Sequence, residues 1–174
     1  HVYGLPVAVP EFDTPEAPVI REYVSGTNKI SGTTVPEGVV TVKAGNASYT
    51  TVAGADGAWS VAVKMLKVDT VITAEVASSF GVKCKNAATV KVANRRIASP
   101  KVKRVKKNAK KITGKAVKKA KVFAKIGKKT YKATVSAKGK FTIKVKKVKK
   151  GTKIKVYVKD TAGNTSKTVT VKVK

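Results

Sequence analysis

Apolar and polar residues alternate with a period of two along most of this chain. In the stretch 152–159, Ile154, Val156 and Val158 point one way, while Lys153, Lys155, Tyr157 and Lys159 point the other. Successive side chains of a β-strand lie on opposite faces in this manner. The same alternation predicts strands near 19–24, 29–33, 39–44, 48–53, 59–64, 71–77 and 89–93, and again near 101–105, 111–115, 121–126, 129–135, 141–145, 153–159 and 167–173. Turn residues fall between them: Gly45-Asn46, Asp56-Gly57, Lys138-Gly139, Lys150-Gly151 and Gly163-Asn164. Leucine occurs only at Leu5 and Leu66, while Val, Thr and Gly abound, a composition that suits strands and argues against a helical bundle.

The two sets of strands are copies of one another. At an offset of 82, Pro18 falls on Pro100, Ile30 and Gly32 on Ile112 and Gly114, and Val40, Lys43 and Gly45 on Val122, Lys125 and Gly127. Tyr49 falls on Tyr131 and Gly57 on Gly139, and Phe141 stands where the first copy has Trp59. Val61, Val63, Ile72, Val76 and Gly81 fall on Ile143, Val145, Ile154, Val158 and Gly163, and the last strand matches after a slip of one residue. Chance likeness between two Val-rich stretches does not set glycines and aromatics in gapless register. The expected architecture is all-β: two tandem β-sandwich domains of about seven strands each. Residues 1–13 form an N-terminal arm or linker, 14–95 the first module and 96–174 the second. Trp59 and Phe141, at one repeat position inside alternating strands, are expected core aromatics. Tyr49 and Tyr131 are expected to be half-buried, and Tyr157 to stand among lysines.

Charge separates the copies. Up to residue 98 the chain has ten Lys and Arg against eight Asp and Glu; from 99 on it has 28 against one, Asp160. A net +2 thus adjoins a net +27, together the +29 of the whole chain. Most of these lysines do not recur in the first copy, so charge has been laid over a shared scaffold. A charged face is often only a solvated one, and lysines at sheet edges discourage edge pairing. Solubility does not require this density, however, and self-repulsion at such density opposes folding. An anionic partner is therefore expected. The candidate contacts are Lys101, Lys103, Lys106 and Lys107; Lys118, Lys119 and Lys121; Lys128, Lys129 and Lys132; Lys144, Lys146 and Lys147; and Lys149, Lys150, Lys153, Lys155 and Lys159. Lysine, a point charge, suits a polymer recognised by charge density, whereas bidentate recognition favours arginine.

Other chemistry finds little support. The single histidine is His1, the single cysteine is Cys84, and no Cys/His spacing suits zinc. Catalysis by a positioned base with partners has no candidate set. Asp160 has no second carboxylate in its half of the chain, and Asp56 and Asp69 fit turn positions. No disulfide can form within the chain. No apolar run reaches the ~20 residues that span a bilayer. The chain lacks an initial Met, a visible signal peptide, an LPxTG motif and a hydrophobic tail, and is expected to be a monomeric fragment of a longer protein.

Pro18-Val19-Ile20, Ile30-Ser31-Gly32-Thr33, Val40-Thr41-Val42, Tyr49, Asp56-Gly57-Ala58-Trp59-Ser60 and Asp160-Thr161-Ala162-Gly163-Asn164-Thr165-Ser166 together resemble the bacterial Ig-like repeats of Gram-positive secreted and surface proteins. The first copy departs from the pattern with Ser78-Ser79-Phe80-Gly81-Val82-Lys83-Cys84, and the second with Lys138 in place of Asp56. The resemblance implies a non-catalytic stalk, spacer or adhesive module, secreted and associated with the cell wall or surface. Some such repeats hold Ca²⁺ through clustered acids, but this chain lacks the carboxylates a hard cation needs, so no metal or cofactor is expected. With the charge, the resemblance leads to a spacer joined to an electrostatic attachment to anionic cell-wall polymer, teichoic acid above all. The alternatives are an adhesin module binding host glycosaminoglycan or another acidic surface, and a nucleic-acid-binding β-domain. The last has the charge but lacks groove-reading arginines and, by sequence, shows only Tyr157 for stacking.

Overall fold

A computed structural model describes Gly4 and residues 13–174, so most of the N-terminal arm, His1 included, lies outside the described residues. The described chain holds fourteen strands. In the first copy they are β1 (Val19–Ile20), β2 (Lys29–Thr33), β3 (Val39–Ala44), β4 (Ala47–Val52), β5 (Ala58–Ala62), β6 (Val71–Ala77) and β7 (Ala88–Lys91). In the second they are β8 (Lys101–Val102), β9 (Lys111–Lys115), β10 (Lys121–Ile126), β11 (Lys129–Thr134), β12 (Lys140–Lys144), β13 (Lys153–Lys159) and β14 (Val169–Lys172). They form four antiparallel sheets with repeated topology, β1-β2-β5 and β4-β3-β6-β7 in the first copy, β8-β9-β12 and β11-β10-β13-β14 in the second. The expected all-β sandwich pair is what the chain forms.

The packed chain divides into two units. Among the described residues, the first comprises 13–23, Asn28–Lys64 and Thr70–Lys91; the second comprises Val24–Thr27, Met65–Asp69 and Val92–Lys174. In each, the inward-facing phase of the strands builds the core. Ile30, Val40, Val42, Ile72 and Val76 are buried in the first, and Ile112, Val122, Ile143, Ile154, Val156 and Val158 in the second. Trp59 and Phe141 are both 3% exposed, as core aromatics must be. Each ring lies over the glycine of the neighbouring strand. A Cβ on Gly32 would come 2.6 Å from the Trp59 ring and collide with the Val19 carbonyl; one on Gly114 would come 2.9 Å from the Phe141 ring and collide with the Lys101 carbonyl. Hence the repeat keeps Ile-x-Gly facing an aromatic residue.

Backbone conformation repeats even where residue type does not. The positive-φ positions Gly26, Glu37, Gly45, Gly57, Asp69 and Gly81 correspond one by one, at the offset of 82, to Asn108, Lys119, Gly127, Gly139, Gly151 and Gly163. Left-handed backbone is disfavoured for residues with a Cβ. Glu37 at 56° and Lys119 at 61° are therefore held there by the surrounding fold.

The first strand of each copy is shorter than its alternation predicts. After Lys103 N donates to Thr113 O (2.9 Å), the chain leaves that sheet; Lys107 N then donates to Lys174 O (2.7 Å) and Lys174 N to Val105 O (2.9 Å). The apolar alternation continues through 105 because Val105 is buried, 3% exposed, although its hydrogen bonds have passed to the other sheet.

Candidate anionic-polymer interface

All eighteen lysines singled out from the sequence are exposed. Lys101, Lys121, Lys129, Lys132, Lys144, Lys153, Lys155 and Lys159 stand on strands, and the others lie in the turns and connections of the second copy. The fold does not gather them on one face. Odd-numbered positions of β10 and β13 present Lys121, Lys125, Lys153, Lys155 and Lys159 on the outer face of the four-stranded sheet. On the three-stranded sheet, β8, β9 and β12 present Lys101, Lys111, Lys115, Lys140 and Lys144.

Strand register sets lysine directly opposite lysine. The pairs are Lys121 with Lys159 and Lys125 with Lys155, Lys153 with Lys172, Lys111 with Lys144 and Lys115 with Lys140, and Lys101 with Lys115. Directly opposed residues have Cβ atoms about 5 Å apart, and like charges so placed are destabilising. The first unit, with the same register, has no such pair at these positions. There Val39 faces Ala77 and Lys43 faces Thr73, Val71 faces Lys91, Lys29 faces Ala62 and Thr33 faces Ala58, and Val19 faces Thr33. The repulsive ladder is thus a feature of the second unit and not a requirement of the fold. Lys111, Lys115, Lys125, Lys140 and Lys172 belong to it and are absent from the sequence-derived set. Their outward phase was legible from alternation, but their partners were not.

The one acid of this half does not offset the charge by turning outward. Asp160 Oδ1 accepts from Ala162 N (3.0 Å) and Asn164 N (2.8 Å), and Oδ2 accepts from Asn164 Nδ2 (3.0 Å). Asn164, 1% exposed, also donates from Nδ2 to Ser25 Oγ (3.2 Å) and accepts from Arg95 N (2.8 Å), all within the second unit. The Asp160 carboxylate therefore closes its own loop, while the buried Asn164 amide ties that loop to Ser25 and Arg95.

Two aromatic residues stand on the lysine face. Phe123 on β10 lies directly opposite Tyr157 on β13. Their rings stack with centroids 5.0 Å apart and planes 14° from parallel. Tyr157 is where its phase predicts, and Phe123, between Val122 and Ala124, holds the same outward phase, which the alternation of β10 already signals. At the corner of this sheet the Lys129 ammonium lies 5.1 Å from the centre of the half-buried Tyr131 ring, a cation–π contact.

Cys84 is a structural acceptor: Val76 N donates to its sulfur (3.4 Å), as Val158 N donates to Ser166 Oγ (3.0 Å) at the equivalent place in the second unit. Among the described residues no three His, Cys, Asp or Glu side chains come together as metal ligands would. No helix there is long and apolar enough to cross a membrane.

Comparison with known proteins agrees with this architecture. Residues 98–174 match the bacterial Ig domain family. The chain is similar to a two-domain fibronectin type III segment of chicken tenascin, with a TM-score of 0.52 and 12% identity over 93% of this chain and 99% of that one. At that identity the likeness concerns the fold alone. It also matches the BSP domain of a biofilm-associated protein (TM-score 0.42, 17% identity, 92% of this chain) and a Ca²⁺-stabilized adhesin with which an Antarctic bacterium binds ice (TM-score 0.37, 24% identity, 92% of this chain). This chain spans only 30% and 49% of those two structures. No curated protein matches it. Domains of these kinds are generally structural or adhesive rather than catalytic. Residues 98–174 are thus similar to the bacterial Ig domain family, and the same sheet topology is repeated in the residues before them.

Proposed function

We propose that this chain is a non-catalytic part of a secreted bacterial surface protein, in which the second unit attaches electrostatically to an anionic polymer of the cell wall, teichoic acid, and the near-neutral first unit acts as a spacer. The observation that carries the reading is the set of directly opposed lysine pairs, present on both sheets of the second unit and replaced by neutral partners at the same registers of the first. A fold that needs no such pairs tolerates their repulsion where a polyanion relieves it. Neighbouring strands lie about 5 Å apart and like-facing residues along a strand about 7 Å apart, so the ammonium groups form a grid that a flexible polyphosphate chain can follow. Phosphates bound in this way release counterions, and affinity then falls steeply with salt, as it does for other polyanions.

The test is binding of the whole chain to purified Gram-positive cell walls, before and after removal of teichoic acid, across a salt series. Binding that falls with salt and with removal of the polymer supports the reading. Binding unchanged by removal, but competed by heparin, assigns the lysines to host glycosaminoglycan instead. Absence of binding at low salt leaves only the spacer. Because both sheets carry lysines, replacing Lys121, Lys125, Lys155 and Lys159 by Thr is expected to weaken wall binding in part, and replacing Lys111, Lys115, Lys140 and Lys144 in addition to abolish it at physiological salt.

A further inference from the structure

The stacked rings of Phe123 and Tyr157 have no role in the core. Neither is among the side chains that build or line the core of the second unit. At their repeat positions the first unit has Thr41 facing Glu75, with the same strands in the same register. The aromatic pair therefore accompanies the lysines and not the fold. Opposed lysine pairs border it on both sides along the strands, Lys121 with Lys159 and Lys125 with Lys155. A groove of about 430 Å³ beside it is lined by Lys119, Lys121, Phe123, Thr134 and Lys159, with Asp160 at its margin already held by its own loop.

We propose that this face is a carbohydrate subsite: the aromatic pair holds the C–H face of a sugar ring while the flanking lysines hold anionic groups on either side of it. The ligand class is a sugar-bearing anionic polymer, preferred over a ring-free polyphosphate of equal charge. The inference rests on the electrostatic attachment proposed above and specifies the polymer. An aromatic ring is negative over its faces and attracts the polarised C–H groups of a sugar, a contact that simple charge density does not require. Nucleobases also stack on aromatic rings, but of the side chains that read their edges the outward positions of β10, β11, β13 and β14 carry only Lys and Thr, and none of the Arg, Asn or Gln that make most bidentate base contacts. They offer threonine hydroxyls instead: Thr134 faces Lys121 and Thr130 faces Lys125. Hydroxyls suit the hydroxyl groups of a sugar.

The experiment compares the whole wild-type chain with the double variant Phe123→Thr, Tyr157→Thr, which leaves the charge unchanged and uses the residue type of position 41. Each is titrated at one ionic strength with dextran sulfate, with polyphosphate and with a thymidine oligonucleotide. Loss of the rings is expected to weaken dextran sulfate by about tenfold, the order of one stacking contact, and polyphosphate by less than about twofold. Equal loss on both polymers, or no loss on either, overturns the carbohydrate subsite while charge-dependent binding survives. Loss confined to the oligonucleotide also overturns it, in favour of nucleic acid. Failure of the wild type to bind any of the three at low salt is the distinct outcome that removes the attachment reading itself, and the subsite with it. Should the double variant not fold, by circular dichroism, Phe123→Leu retains apolar bulk without a π face and is expected to show the same selective loss.

Discussion

Several backbone N–H groups occupy equivalent places in the two units and find different side chains. Ala58 N donates to Asp56 Oδ1 (3.0 Å), whereas the equivalent Lys140 N donates to Ser136 Oγ (3.1 Å), so the change of Asp56 to Lys138 is compensated two residues earlier. Val82 N donates to Ser78 Oγ (3.2 Å), where Asn164 N donates to Asp160 Oδ1 (2.8 Å); the departing first-copy motif thus keeps its turn. Cys84 stands in for Ser166 in the same sense. Cys84→Ser is accordingly expected to change the stability of the first unit by less than about 1 kcal/mol, since a hydroxyl replaces a weak sulfur acceptor. Denaturant unfolding checks this, and a loss above about 2 kcal/mol would show that the sulfur fills space a hydroxyl cannot. Gly114→Ala is expected to be far more costly, about 2–4 kcal/mol, because its methyl meets the Lys101 carbonyl and the Phe141 ring with no flexible atom to yield. Asn164→Ala leaves the Arg95 N–H without its side-chain acceptor and Ser25 without its donor, and is expected to destabilise the second unit by about 2 kcal/mol on the same measurement. The importance of Gly114 was legible from the repeat. The role of Asn164 was not, because its partners Ser25 and Arg95 are remote in sequence.

At the scale of the strand, alternation decided inside from outside correctly, and register decided everything about the surface. Lys121 and Lys159 are adjacent only because β10 pairs with β13 in this register. Nothing local to either segment dictates the pairing. The first unit offers the control substitutions, since Val39 faces Ala77 there. Lys121→Val with Lys159→Ala is expected to stabilise the second unit by a few tenths to about 1 kcal/mol at low salt, and the gain is expected to shrink as salt screens the remaining charges. Unfolding the variant and the wild type at ~10 mM and ~500 mM salt tests this; a gain independent of salt would mean that burial of apolar surface, and not relief of repulsion, is responsible.

At the scale of the whole chain the two units differ mainly in charge, and the sequence supplies a reporter that separates them. Trp59 is the only tryptophan and lies in the core of the first unit. Its fluorescence follows the first unit alone, whereas far-ultraviolet circular dichroism follows both. Raising salt is expected to move the circular-dichroism transition of the second unit upward and to leave the Trp59 transition nearly unmoved, because the net +2 of residues 1–98 gains little from screening while the net +27 of residues 99–174 gains much. Equal shifts of both transitions would argue against charge repulsion as the difference between the units. The all-β class, the doubling of the sandwich, most strand positions, the buried aromatics and the segregation of charge were legible in the amino-acid order alone. All of these follow from local alternation, turn chemistry and composition, which require no knowledge of which strands become neighbours. That lysines oppose lysines on both sheets, that Phe123 meets Tyr157, and that the segments 24–27 and 65–69 pack with the second unit emerges from the folded chain. Each of these depends on contact between residues far apart in the chain, and such contacts are set by topology and register.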